Sequence, residues 1–138
     1  MGAVVRDPLV EVIIGAAINV HRVLGPGLLE SAYQACLAYE FSKRQLRFRR
    51  ALPIPLHYED VRLDCAYRVD FAVDPSVLVE IKSVECLLPI HDAQVMAYLR
   101  LTDARFLLLF NFNCLRLMDG FKCFIGKGSQ LPVKRSPG

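Results

Sequence analysis

Asp70 and the triplet Glu80-Ile81-Lys82 put two carboxylates and an ammonium into surroundings that are otherwise apolar. Residues 69–73 and 77–82 are short, valine-rich runs separated by Asp74-Pro75-Ser76. That pattern predicts two strands joined by a tight turn. With the turn centred on Pro75, Asp70 falls opposite Glu80, and their Cβ atoms come within about 4.5–5.5 Å on one sheet face. Like charges so placed repel, and loss of water strengthens the repulsion. A divalent cation between them would remove the conflict. Lys82, two residues beyond Glu80, points to the same face. The Ile81 main-chain carbonyl adds a third hard oxygen, so Asp70, Glu80 and Ile81 form a ligand set suited to Mg²⁺ or Mn²⁺. Such an ion polarises a phosphoryl oxygen and acidifies bound water. Lys82 would orient or deprotonate that water, or stabilise charge building on the phosphate. The opposite face of the hairpin (Val69, Phe71, Val73, Val77, Val79 and Ile81) is expected to supply the core. The bland alternative is a surface hairpin with an ordinary ion pair.

Three further groups of residues extend the constellation. Gln94 and Tyr98 are spaced i,i+4 and share one helix face. With His91 on the same side, they form a polar stripe able to grip phosphates or bases; the competing reading is a solvated face with a half-buried tyrosine. Glu30 opens a helix, where an acid suits the dipole, and is otherwise a candidate extra metal ligand or ligand-orienting group. His21 is similarly a helix cap or a site residue. Lys43, Arg44, Arg47, Arg49 and Arg50 fall within eight residues. They read as a solvated helix end or as a patch that tracks phosphates, with Arg47 and Arg49 as the candidate contacts.

The elements that must position these residues are legible in outline. A helix is predicted over 7–23, with Ile13, Ala16, Ala17 and Val20 at helical spacing and Pro8 in its first turn. Gly25-Pro26-Gly27 ends it, and a second helix runs over 28–43. Residues 48–58 contain Pro53 and Pro55 and suit an edge or irregular strand. Glu59-Asp60 is a two-residue turn, followed by a long strand over 61–73 and another over 77–83. Pro89 opens a third helix over 90–101. Residues 106–110 are continuously apolar, as in a strand buried on both faces. Asp119-Gly120 predicts a final hairpin with arms 115–118 and 121–125. The order α-α-β-β-β-α-β plus a C-terminal hairpin defines an α/β protein, a mixed central sheet flanked by helices. Residues 1–126 form a single domain, and 127–138 a basic, flexible tail.

Bulk properties agree with one globular unit. The chain has 138 residues and is 54% hydrophobic, which excludes a mainly disordered protein. Its net charge of +3 permits a polyanionic partner without demanding one. Five cysteines form no C-x-x-C pair, so zinc-ribbon and thioredoxin-like readings lack support. Their apolar surroundings suggest reduced core residues and a cytoplasmic setting. The N-terminus lacks a signal-peptide layout, and no apolar run is long enough for a bilayer.

Asp70, Glu80-x-Lys82 and Gln94-x-x-x-Tyr98, in this element order, resemble the PD-(D/E)XK nuclease superfamily. The Gln-x-x-x-Tyr helix is similar to that of its RecB-like and lambda-exonuclease-like branch. Gly27-x-x-Glu30-x-x-Tyr33 resembles the signature of the small GxxExxY family, as do the blocks 21–31, 63–70, 87–94 and 109–113. Val69 replaces the proline of the superfamily name. The resemblance implies a restriction-endonuclease-like fold and a metal-dependent nuclease acting on DNA. Asp70, Glu80, Lys82 and Gln94 would be catalytic, with Asp70 and Glu80 as metal ligands and Glu30 as the acid from the helical layer, His21 its partner. Gln94 and Tyr98 would face substrate. An alternative is a non-catalytic nucleic-acid-binding or assembly module that keeps the fold and works as a homodimer or with a larger protein partner. A phosphoesterase acting on nucleotides is weaker, because no Gly-rich phosphate loop is present.

Overall fold

The computed structural model describes residues 6–64 and 67–130. Helix α1, Pro8–Leu24, starts where Asp7 caps it: Oδ1 accepts from the Leu9 and Val10 amides at 2.9 and 3.2 Å. It stops at Gly25, whose φ of +69° favours glycine. Helix α2, Glu30–Lys43, buries Tyr33, Leu37 and Phe41 at i, i+4 and i+8. Together α1 and α2 cover one face of a five-stranded sheet ordered β1-β4-β5-β6-β7. These strands are β1 (Phe48–Pro53), β4 (Arg68–Val73), β5 (Val77–Lys82), β6 (Phe106–Asn111) and β7 (Phe121–Ile125). β5 and β6 are parallel and the other neighbours antiparallel. Helix α3, Pro89–Arg100, is the crossover that the parallel pair requires. It packs Val95, Tyr98 and Leu99 on the second face, against Ala72, Leu78, Leu107 and Leu109. The fold is thus mixed α/β and restriction-endonuclease-like, as the sequence predicts.

Three local expectations need correction. The long strand over 61–73 is two strands: β3 (Val61–Leu63) pairs only with β2 (Leu56–Tyr58), while β4 enters the main sheet. All three β3 residues are exposed, so β3 adds no buried side chain to the core. Its turn is the expected Glu59-Asp60, with Tyr58 opposite Val61. The C-terminal hairpin also differs. Leu117–Gly120 is a 3₁₀ turn, and β7 pairs with β6 instead of with residues 115–118. Gly120 serves close packing there, since a Cβ would stand 2.6 Å from the Asn111 carbonyl oxygen. Third, both faces of the β4–β5 hairpin are core, and Val69 does not share a face with Phe71. Phe71 joins the α1/α2 side, whereas Val69 packs with Ile54 on the α3 side.

The cause of the Val69 switch lies at Asp70. Along β1–β4 the pairing runs to Arg50↔Phe71 and resumes at Leu52↔Val69, skipping Ala51 and Asp70. Ala51 has a φ of +51°, which costs a non-glycine residue on the order of 1–3 kcal/mol. On the other side, the β4–β5 ladder runs Val73↔Val77 to Phe71↔Val79 and stops. The predicted register is present, and on the β1 side it is unchanged across the gap: one pair, Ala51 and Asp70, drops out of the ladder, and both strands switch faces there.

Of the remaining segments, Lys127–Gln130 form a 3₁₀ turn, with the Gly128 amide donating to the Ala104 carbonyl at 3.2 Å. The rest of the predicted tail and Cys65 lie outside the described residues. Among the other cysteines, Cys86 is exposed, and burial pushes the Cys123 thiol up to about 11. No described helix is long and apolar enough to cross a membrane.

Candidate active site

Where the ladder opens, side chains replace backbone partners. The Asp70 amide donates to Glu80 Oε1 at 3.1 Å, and the Ile81 amide donates to Asp70 Oδ2 at 2.7 Å. The two carboxyl groups sit side by side at the end of the hairpin, with Glu80 only 5% exposed. Burial is the largest cause pushing Glu80 up, to about 8, and the neighbouring Asp70 charge adds to it. Asp70 is also raised, again by burial first, with a smaller contribution from Glu30; the Ile81 N–H works against both. With its carboxyl pushed up to about 8, Glu80 favours its protonated form at neutral pH in the absence of a cation.

Lys82 supplies the positive charge. Its Nζ lies 3.7 Å from Glu80 Oε2 and donates to Gln94 Oε1 at 3.0 Å. Its backbone carbonyl accepts from Phe112 on the β6 side. The neighbouring Ile81 faces the other way, toward the opening beside β4. A strand residue's N–H and C=O point to the same side, so the Ile81 carbonyl lies on the edge where its N–H meets Asp70. Gln94 and Tyr98 descend from α3 one turn apart. Burial, then the Glu80 and Asp70 charges, raise the Tyr98 phenol.

The Gly27-x-x-Glu30-x-x-Tyr33 motif has a physical explanation. Gly27 adopts a φ of +96°, strained for other residues. Tyr33, fully buried and stacked on Phe112 at 4.6 Å, donates to the Gly25 carbonyl at 2.6 Å and accepts from the Leu28 amide at 3.1 Å. It thereby ties down the α1–α2 loop. Glu30 then reaches the end of β5, where Oε2 accepts from the Ser83 amide at 3.3 Å, and Ser83 Oγ donates to the Leu28 carbonyl at 2.6 Å. Tyr33→Phe leaves two backbone groups unpaired, and a loss of about 1–3 kcal/mol in stability is expected from urea unfolding. An unchanged midpoint would remove Tyr33 as the loop anchor.

Other candidates lie apart. The His21 ring sits beside Phe112, and its Nε2 bonds to the Cys114 carbonyl at 2.8 Å; no contact joins it to Glu30 or the carboxylate pair. His91 uses Nδ1 to accept from the Leu88 amide at 2.9 Å, a cap at the start of α3, which leaves Nε2 for any ligand. Arg47 is in an exposed ion pair with Asp74 at 2.6 Å, beyond the far end of the β4–β5 hairpin from Asp70. Arg49 is exposed on edge strand β1, opposite Ala72. Sequence reasoning missed Gln34, whose Nε2 donates to Asp70 Oδ1 at 3.1 Å. The available signal was its position one helical turn after Glu30. Ser83, adjacent to Lys82, was missed too.

Whether these residues suit a divalent cation turns on the donor set. Two adjoining carboxylates, Glu80 buried and Asp70 half-buried, and a main-chain carbonyl are hard oxygen donors, and burial raises both carboxyls. Among the described residues, no set of three or more His, Cys, Asp or Glu side chains is gathered for a metal. Glu30 stands off at Ser83, so a bound ion would complete its shell with the carbonyl and water. The donors present fit an ion that retains several waters, as Mg²⁺ does.

A strand carrying Asp70, a parallel-paired strand carrying Glu80-x-Lys82 and a helix carrying Gln94 thus meet on one mixed sheet of restriction-endonuclease-like fold. The sequence profile of the PD-(D/E)XK nuclease superfamily matches residues 7–124, and the chain belongs to that superfamily. Nucleases of this superfamily act on nucleic acid and generally use divalent metal ions. Searches among curated proteins and solved structures returned no match.

Proposed function

We propose that the chain is a Mg²⁺- or Mn²⁺-dependent nuclease that hydrolyses DNA phosphodiester bonds. The observation that carries this reading is the pair of buried Glu80 and half-buried Asp70, raised in pKa and flanked by Lys82. Asp70, Glu80 and the Ile81 carbonyl would hold the ion, which when bound supplies charge neutralisation at the phosphate and an acidified water. Lys82, held between Glu80 and Gln94, keeps its ammonium where negative charge builds on the scissile phosphate. Gln94 fixes that lysine through Oε1, and its side-chain amide also hydrogen-bonds the Tyr98 phenol, so the two helix residues act on substrate as one unit. Tyr98, with a raised phenol, stays protonated and remains a donor. DNA is favoured over RNA by the Gln-x-x-x-Tyr resemblance. Exposed Arg49, and Arg47 once released from Asp74, are candidate phosphate contacts at a distance from the chemistry.

Titration calorimetry tests the ligand assignment. Mn²⁺ should bind the wild-type protein, and Asp70→Asn should lose that binding while retaining the wild-type circular dichroism spectrum. Equal affinity in both proteins would remove Asp70 as a ligand. Labelled single- and double-stranded DNA, incubated with Mn²⁺, would separate a nuclease from a binding module: binding without cleavage favours the latter.

A further inference from the structure

Asp70 is held from both sides. Ile81 donates to Oδ2 from the neighbouring strand, and Gln34 donates to Oδ1 from α2, 36 positions earlier in the chain. The second bond has no role in the helix or the core. Gln34 is half-buried, and α2 packs through Tyr33, Leu37 and Phe41. Nor is it an ordinary strand-end cap, because the Asp70 and Ile81 amides, where the ladder ends, are already met by Glu80 and Asp70. What it does is fix the carboxylate's rotation. Without Gln34, one oxygen of Asp70 has a donor and the other is free to turn away from the Ile81 carbonyl edge. A carboxylate next to Glu80 has an electrostatic reason to turn, since the two repel whenever both are ionised.

We propose that Gln34 is a positioning residue for the metal site: its side-chain amide orients Asp70 so that one oxygen remains directed to the shared edge with Glu80 and Ile81. This rests on the reading of Asp70 as a metal ligand. The arrangement places one amide on each side of the sheet. Gln34 from α2 donates to the acid, and Gln94 from α3 accepts from the ammonium. Both helical layers thus hold the ends of one hairpin, and both amides carry no net charge, so neither alters the charge presented to a phosphate.

The test uses Gln34→Met, which keeps length and approximate volume while deleting the donor. Calorimetry should show Mn²⁺ affinity weakened by roughly 10- to 100-fold, the usual effect of removing a group that orients a ligand. The thermal midpoint should stay near that of the wild type. In Mn²⁺-supported cleavage at saturating DNA, kcat should fall at fixed subsaturating Mn²⁺ and recover as Mn²⁺ is raised, a rescue that a packing defect would not show. Unchanged Mn²⁺ affinity in Gln34→Met, with a wild type that binds normally, overturns the positioning role alone. Absence of Mn²⁺ binding in the wild type overturns the metal reading and this role with it. Should Gln34→Met fail to fold, the side-chain NH₂ resonances of Gln34 in the wild type decide. They should shift on addition of diamagnetic Mg²⁺ and lose their hydrogen-bonded splitting in Asp70→Ala; indifference to both changes overturns the proposal.

Discussion

Replacing Lys82 by alanine is expected to slow Mn²⁺-supported DNA cleavage by roughly 100- to 1,000-fold, the scale typical of deleting one group that stabilises developing charge. Its ammonium is confined between Glu80 at 3.7 Å and Gln94 at 3.0 Å, and the side chain is 16% exposed. A cation so placed has little freedom to reorganise as negative charge appears. The loss should fall on kcat, with KM for DNA little changed, because the interaction strengthens in the transition state. Lys82→Arg keeps the charge but replaces a compact ammonium with a planar fork, and partial activity is expected. Gel assays of purified variants under single-turnover conditions measure both. Wild-type rates in Lys82→Ala would mean that the lysine only neutralises Glu80.

The second large effect is a pH dependence of stability in the metal-free protein. Burial and the Asp70 charge move Glu80 from an ordinary 4.5 to about 8. Between those values the folded protein retains a proton that the unfolded chain has released. Stability therefore falls as pH rises through that window and is lowest above it. The amplitude should be on the order of a few kcal/mol. Asp7 and Glu40 do not confuse the reading. The Lys43 hydrogen bond lowers Glu40; burial raises Asp7, but bonding to Arg105 and to backbone amides outweighs it. Their stabilisation is lost only in more acid solution. Urea midpoints from pH 5 to 9 in chelator should fall in the wild type and flatten in Glu80→Gln, which is neutral throughout. Saturating Mn²⁺ should reverse the trend, because a cation binds the deprotonated pair and its stabilisation grows with pH. A flat wild-type profile would show that Glu80 keeps an ordinary carboxyl pKa in the folded protein.

Much of this site is written in short-range pattern. The valine alternation and the Asp74-Pro75-Ser76 turn imply the register that places Phe71 opposite Val79 and Val73 opposite Val77. The i,i+4 spacing of Gln94 and Tyr98 likewise follows from helix geometry alone. Other features resisted the same logic. Asp119-Gly120 looks like a hairpin turn, yet β6 needed a partner on its free edge and took β7 directly. The strand predicted over 61–73 reads as continuous, but its first half has no apolar face against the sheet and leaves it. His21 and Glu30 look like neighbours across a short loop, yet Tyr33 pins the loop so that Glu30 meets Ser83 while the His21 ring bonds to Cys114.

The amino-acid sequence by itself determined which groups this fold gathers: two carboxylates and a lysine on one hairpin, a glutamine on the next helix, and the element order that carries them. These depend on alternation, turn residues and helical period, which act over a few residues. The tertiary structure decided how the carboxylates are held. The break in the ladder at Ala51 and Asp70 depends on β1 docking against β4, and the Gln34 bond to Asp70 depends on α2 packing on the sheet. Both join residues distant in the chain, and no local rule of spacing reaches that far.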